Sequence, residues 1–188
     1  MPASIDYDLP ASGNAGFSCQ LVGLGRTPGN AEVCTTPTAE TTTGIMAAIN
    51  GKMYVNGTEV KITSLKISIK NNAAGTGAEV GSNDSGDVSR EDIMVEGSFV
   101  ANLRDSVITA LYEAETEINI CSVLTADQTA TSEFKAFSIG AVKVGGDAPN
   151  DGKKEIYRTY PFTARINSAG GAALAWDETI ITLQDSAA

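Results

Sequence analysis

The chain contains no histidine. That absence removes the Ser-His-Asp and Cys-His dyads, the commonest zinc ligand sets and a ready proton shuttle near pH 7. Cysteine is scarce: Cys19, Cys34 and Cys121 are an odd set without CxxC spacing, a poor disulfide framework. They read as reduced thiols, with a Cys19–Cys34 bridge as the alternative. Aromatic residues are few, and no apolar run approaches the about 20 residues of a membrane span. The opening "MPASIDYDLPASG" has neither the basic region nor the apolar run of a signal peptide. Basic residues are also in the minority, 13 Lys and Arg against 23 Asp and Glu, for a net charge of −10. That balance argues against gripping nucleic acid by phosphate neutralisation, although it allows nucleic acid as something passed without being held.

Thr, Ala, Gly and Ser are abundant, a composition suited to short β-strands joined by small-residue turns. Residues 1–13 read as a free arm broken by Pro2, Pro10, Ser12 and Gly13. Residues 16–23 can form one strand, with Phe17, Cys19 and Leu21 on one side, followed by an irregular Thr/Pro/Gly connection. The pattern sharpens from Ile49. Asn56-Gly57 between Met53/Val55 and Val60/Ile62 is a strong hairpin signal. The strand over 59–70 changes phase at Thr63-Ser64, which predicts a β-bulge.

Strands are also expected over 91–101, 117–126, 133–145, 154–167 and 178–184. The 91–101 strand places Ile93, Val95, Gly97 and Phe99 on one side. Between 103 and 115, Val107, Ile108, Leu111 and Tyr112 fall at helical spacing. Pro161 within a strand marks an edge or a bulge. The reading is a mainly β fold, an antiparallel sandwich or barrel with one flanking α-helix, a long inter-strand loop and an extended N-terminal arm. It divides the chain into an arm and linker, 1–48, and a β domain, 49–188.

The search for chemistry returns no catalytic or metal constellation. "VGLGRTPGN" lacks the spacing and the following helix of a phosphate loop. Asn83, Asp84, Asp87, Glu91 and Asp92 lack EF-hand spacing and read as a solvated acidic loop. Glu113, Glu115 and Glu117 have no evident cleft. Tyr157, Tyr160 and Phe162 near Arg158 and Arg165 could stack bases, but tyrosines flanking a sheet are ordinary. The "NGT" sequon sits in a tight hairpin. Neither a cofactor nor a metal is expected.

Several stretches resemble the tail tube (major tail) protein of long-tailed bacteriophages. "GKMYVNGTEVKITSLKISIKNN" is similar to the opening hairpin and first long strand of that family. "VGSNDSGDVSREDIMVEGSFVANLRDSVITALYEAETEINI" is similar to its loop, second long strand and helix. "AFSIGAVKVGG…EIYRTYPFTARIN" and "ETIITLQDSAA" are similar to its last strands and tail. The likeness begins near residue 51 and covers roughly the final 140 residues. Members often carry two tube domains, and residues 16–45 look like the end strand and linker of a preceding one.

The resemblance implies a non-enzymatic virion protein, assembled in the host cytoplasm. Its subunits would form stacked homo-oligomeric, hexameric rings that meet other tail proteins and pass DNA without specific binding or membrane contact. It implies a channel-lining sheet from strands near 59–70, 91–101, 134–145 and 154–167, with Lys66, Ser68, Glu96 and Ser98 facing the lumen or pairing across strands. A lumen of acidic character would repel phosphates. The long loop, with Asn72, Glu79, Asp84, Asp87 and Arg90, would contact a neighbouring subunit or ring, while helix 103–115 would pack on its own domain. A related ring or tail-terminator module and an Ig-like adhesion domain are the alternatives.

Overall fold

The computed structural model describes residues 1–23, 44–77, 80–81, 86–89, 92–102, 106–129, 131–146, 149, 156–168 and 178–186. Its strands are β1 (Pro2–Leu9), β2 (Gly16–Leu21), β3 (Lys52–Val55), β4 (Thr58–Val60), β5 (Ile62–Lys70), β6 (Ala74–Gly75) and β7 (Val88–Ser89). After these come β8 (Met94–Asn102), β9 (Ile118–Thr125), β10 (Phe134–Val144), β11 (Tyr157–Arg165) and β12 (Thr182–Asp185), with helix α1 (Ser106–Glu113) between β8 and β9. Ten strands form one sheet in the order β2-β1-β5-β8-β11-β10-β9-β3-β4, with β12 also on β10. Every pairing in it is antiparallel. The path has two ends, so the sheet folds back on itself as a sandwich and not as a closed barrel.

Local sequence explains the corners. Asn56 and Gly57 both take positive φ, 49° and 78°, which a two-residue hairpin turn requires. Asn56 also accepts the Asn119 N–H on its side-chain oxygen at 2.8 Å, tying the turn to β9. The phase change in the next strand is a register shift between Ile62 and Ser64 against β8. There the chain leaves β4, which pairs with β3, and enters β5, which pairs with β1 and β8. Pro161 stays in continuous register with Ser98 of β8. β11 is an interior strand, so Pro161 is neither on a sheet edge nor at a bulge: its carbonyl accepts from Gly145 just past the last β10–β11 register pair, and its missing N–H falls at the end of that ladder.

The core lies between the two halves of the folded sheet. Met53, Val55, Leu65, Ile67, Val95, Phe99, Ile120, Phe137, Ile139, Val142 and Tyr160 are fully buried there. The Tyr7 ring of β1 meets Phe137 of β10 edge-on at 4.6 Å. Helix α1 closes one flank through buried Ile108 and through Tyr112, whose ring stands 6.0 Å from Tyr160. The Arg158 guanidinium lies over both tyrosine rings, at 4.4 and 5.6 Å.

A second expectation is overturned. Residues 1–13 are not a free arm: β1 is an interior strand, paired with β2 on one side and β5 on the other. Its side chains alternate, Ile5, Tyr7 and Leu9 on the core side and Ser4, Asp6 and Asp8 on the other. The prolines stand only at its ends. The strand expected at 16–23 exists as β2, but Phe17, Cys19 and Leu21 are exposed.

Candidate functional site

Because successive strand residues point to opposite faces, the face turned away from the core can be read row by row. One row runs Ser18, Asp6, Ser68, Glu96, Thr163, Lys143 across β2, β1, β5, β8, β11 and β10. The next runs Gly16, Asp8, Lys66, Ser98, Pro161. Lys66, Ser68, Glu96 and Ser98 therefore share one face on adjacent strands. A shallow groove of about 720 Å³ follows these rows and is lined by Asp6, Asp8, Lys66, Glu96, Lys143 and Thr163 among others.

Neighbouring strands supply each other's polar partners. The Ser68 hydroxyl donates to Asp6 Oδ1 at 2.5 Å. Lys66 Nζ lies 4.0 Å from Asp8 Oδ2. Lys70 pairs with Glu96 diagonally across β5 and β8, and Arg165 pairs with Glu117. Exposed ion pairs of this kind each contribute roughly 0–1 kcal/mol to stability. Their larger effect is on the field: three acids, Asp6, Asp8 and Glu96, stand among three lysines, Lys66, Lys70 and Lys143. The balance includes Lys70 from the neighbouring Ser4–Lys70–Met94 row; the two rows themselves carry one acid more than lysine. Asp6 and Asp8 were missed in the sequence, although the alternation of β1 is the signal that finds them. Beneath the same strand, burial raises the Tyr7 pKa, with a smaller push from Cys19.

The long connection between β5 and β8 begins as an ordered ribbon. Asn72 sits at its base in the left-handed region, φ 43°. β6 pairs with β7, and Thr76 and Asp87 clamp them together. The Thr76 N–H donates to the Asp87 carbonyl at 2.9 Å. The Asp87 N–H donates to Thr76 Oγ1 at 3.0 Å, and Asp87 Oδ1 accepts the Val88 N–H at 2.7 Å. Glu79, Asp84 and Arg90 lie outside the described residues, as do Asn83 and Glu91.

Other candidates recede. Among the described residues no group of three or more His, Cys, Asp or Glu could hold a metal ion. Tyr160 and Phe162 belong to the core, so the aromatic–basic segment cannot stack bases on those rings. Cys19 is a free, exposed thiol, and Cys121 is a free one whose pKa burial raises. Cys34 lies outside the described residues. No described helix is long and apolar enough to cross a membrane.

A sandwich-like sheet with a broad face of paired charges, an edge strand paired on one side only among the described residues, and a short β6–β7 ribbon fits a structural β protein. The chain belongs to the phage tail tube protein family, whose model matches residues 2–164. No curated protein matches the chain. The family match begins in β1, well before residue 51, and ends within β11. A tail tube protein is a structural component of the virion tail that assembles with itself and with other tail proteins, and the family points to a non-enzymatic role.

Proposed function

We propose that subunits join into rings of six, that the rings stack into the tail tube, and that DNA passes through the lumen into the host without specific binding or catalysis. The observation that carries this reading is the polar face that runs across six strands to β2, which pairs on one side only among the described residues. A strand whose outer N–H and C=O groups are unpaired is a template for another chain, and a ring removes such edges by closing the sheet. On β2 the apolar side chains Phe17 and Leu21 are 62% and 74% exposed, which favours a covered position in an assembly. In this arrangement Lys66, Ser68, Glu96 and Ser98 face the lumen. The β6–β7 ribbon reaches a neighbouring subunit or ring, carrying Asn72, Glu79, Asp84, Asp87 and Arg90. Assembly takes place in the host cytoplasm.

Negative-stain electron microscopy of the purified protein, across salt and micromolar concentrations, tests this directly. Tubes or rings with a regular axial repeat are expected. A species that stays monomeric under every condition overturns the reading.

A further inference from the structure

We propose that Lys66, Lys70 and Lys143 form a latent binding surface for the phosphate backbone of double-stranded DNA, held neutral by Asp6 and Asp8 of β1 and Glu96 of β8. Lys66 and Lys70 lie on the same face of β5, and Lys143 stands on that face at the far end of the Ser18–Lys143 row. Without the acids, three cations would sit within a few strand spacings of one another. That is a footprint whose lysines can neutralise phosphates and release the counterions condensed on DNA.

The acids are interleaved with the cations. Asp8 is the register partner of Lys66, Glu96 pairs diagonally with Lys70, and Asp6 is bound to Ser68 between them. Among the described residues Lys143 makes no ion pair of its own, yet Glu96 lies only two strands away along its row. Adjacent strands are about 4.8 Å apart. The Debye length at physiological salt is about 8 Å. Lys66 and Lys70 are therefore offset by Asp8 and Glu96 inside that distance, whereas Glu96, two spacings or about 9.6 Å from Lys143, offsets that lysine only in part. Strand β1 acts here as a charge mask as well as a piece of sheet. The importance of this for DNA passage rests on the conduit reading, whereas the binding property does not.

The test compares retention on a double-stranded DNA column. The first protein is wild type, and the second carries Asp6→Asn, Asp8→Asn and Glu96→Gln. A third combines those changes with Lys66→Gln, Lys70→Gln and Lys143→Gln. A control removes the same charge away from the face, through Glu113→Gln, Glu115→Gln and Glu133→Gln, all exposed positions. Wild type and control are expected in the flow-through at low salt. The unmasked protein is expected to be retained, with log K against log salt falling at up to about 0.9 per lysine. The third protein should lose the gain. A double variant, Asp8→Asn with Glu96→Gln, keeps the Asp6–Ser68 hydrogen bond and should be retained more weakly; it serves if the triple variant does not fold. Retention of the unmasked proteins no greater than that of the control overturns the proposal, as does retention that survives loss of the lysines. Electron microscopy of the same samples reports on tube formation separately, so either reading can fail alone.

Discussion

Gly97 shows how far one missing side chain can matter. It lies between Ile67 of β5 and Phe162 of β11 in register, on the core-facing side of β8. A Cβ there would fall 2.1 Å from the Lys66 carbonyl oxygen and 2.5 Å from the Phe162 ring. The oxygen belongs to the backbone, so β5 itself would have to move. Gly97→Ala is expected to cost about 2–3 kcal/mol, the upper part of the usual range for overpacking. A lowered urea midpoint would show it, and an unchanged midpoint would contradict it. The alternation Val95, Gly97, Phe99 announces the face on which Gly97 lies. It does not announce the reason for glycine, because the occupant of the space arrives from a distant strand.

The β5–β8 connection divides into a stalk and a tip. The stalk holds itself together through β6, β7 and the Thr76–Asp87 clamp, so shortening should start above it. Replacing residues 78–85 with a two-residue turn is expected to leave thermal unfolding unchanged while preventing normal tube formation. Normal tubes from the shortened protein, seen by electron microscopy, would remove the assembly role of the tip. Much of the framework was legible locally: the Asn56-Gly57 turn, the phase change at Thr63-Ser64 and the succession of strands all declare themselves within a few residues. β1 carries a period-two pattern, but the prolines at its two ends, Pro2 and Pro10, are the residues that break strands, so local sequence argues both ways there. Of the charged rows, the family resemblance put Lys66, Ser68, Glu96 and Ser98 on one face, but Asp6, Asp8 and Lys143 and the register that joins them to that face were not legible. Register is a tertiary property, and the bond from Ser68 to Asp6 joins residues 62 apart in sequence.

At the scale of the whole molecule, β2 carries an exposed apolar strip among the described residues. Phe17 touches Tyr7, 5.2 Å between ring centres, but most of it faces outward, and Leu21 lies further out on the same side of β2. Substituting both by serine should leave folding within about 0.5 kcal/mol, as is usual for exposed sites. The same change should abolish higher assemblies in sedimentation velocity; unaltered assembly would place the interface elsewhere. The other consequence concerns β10. Phe134–Ile139 and Val142 pair with β9, Lys135–Ser138 pair with β12 on the other side, and the last four residues, Ala141–Val144, pair with β11. One strand is thus spliced into both halves of the sandwich. Neither half can melt while the other stays intact, because losing either ladder frees the strand on which the other depends. Heat should therefore find the subunit an all-or-none object. A tube made of such subunits has no soft layer within each subunit from which to fray.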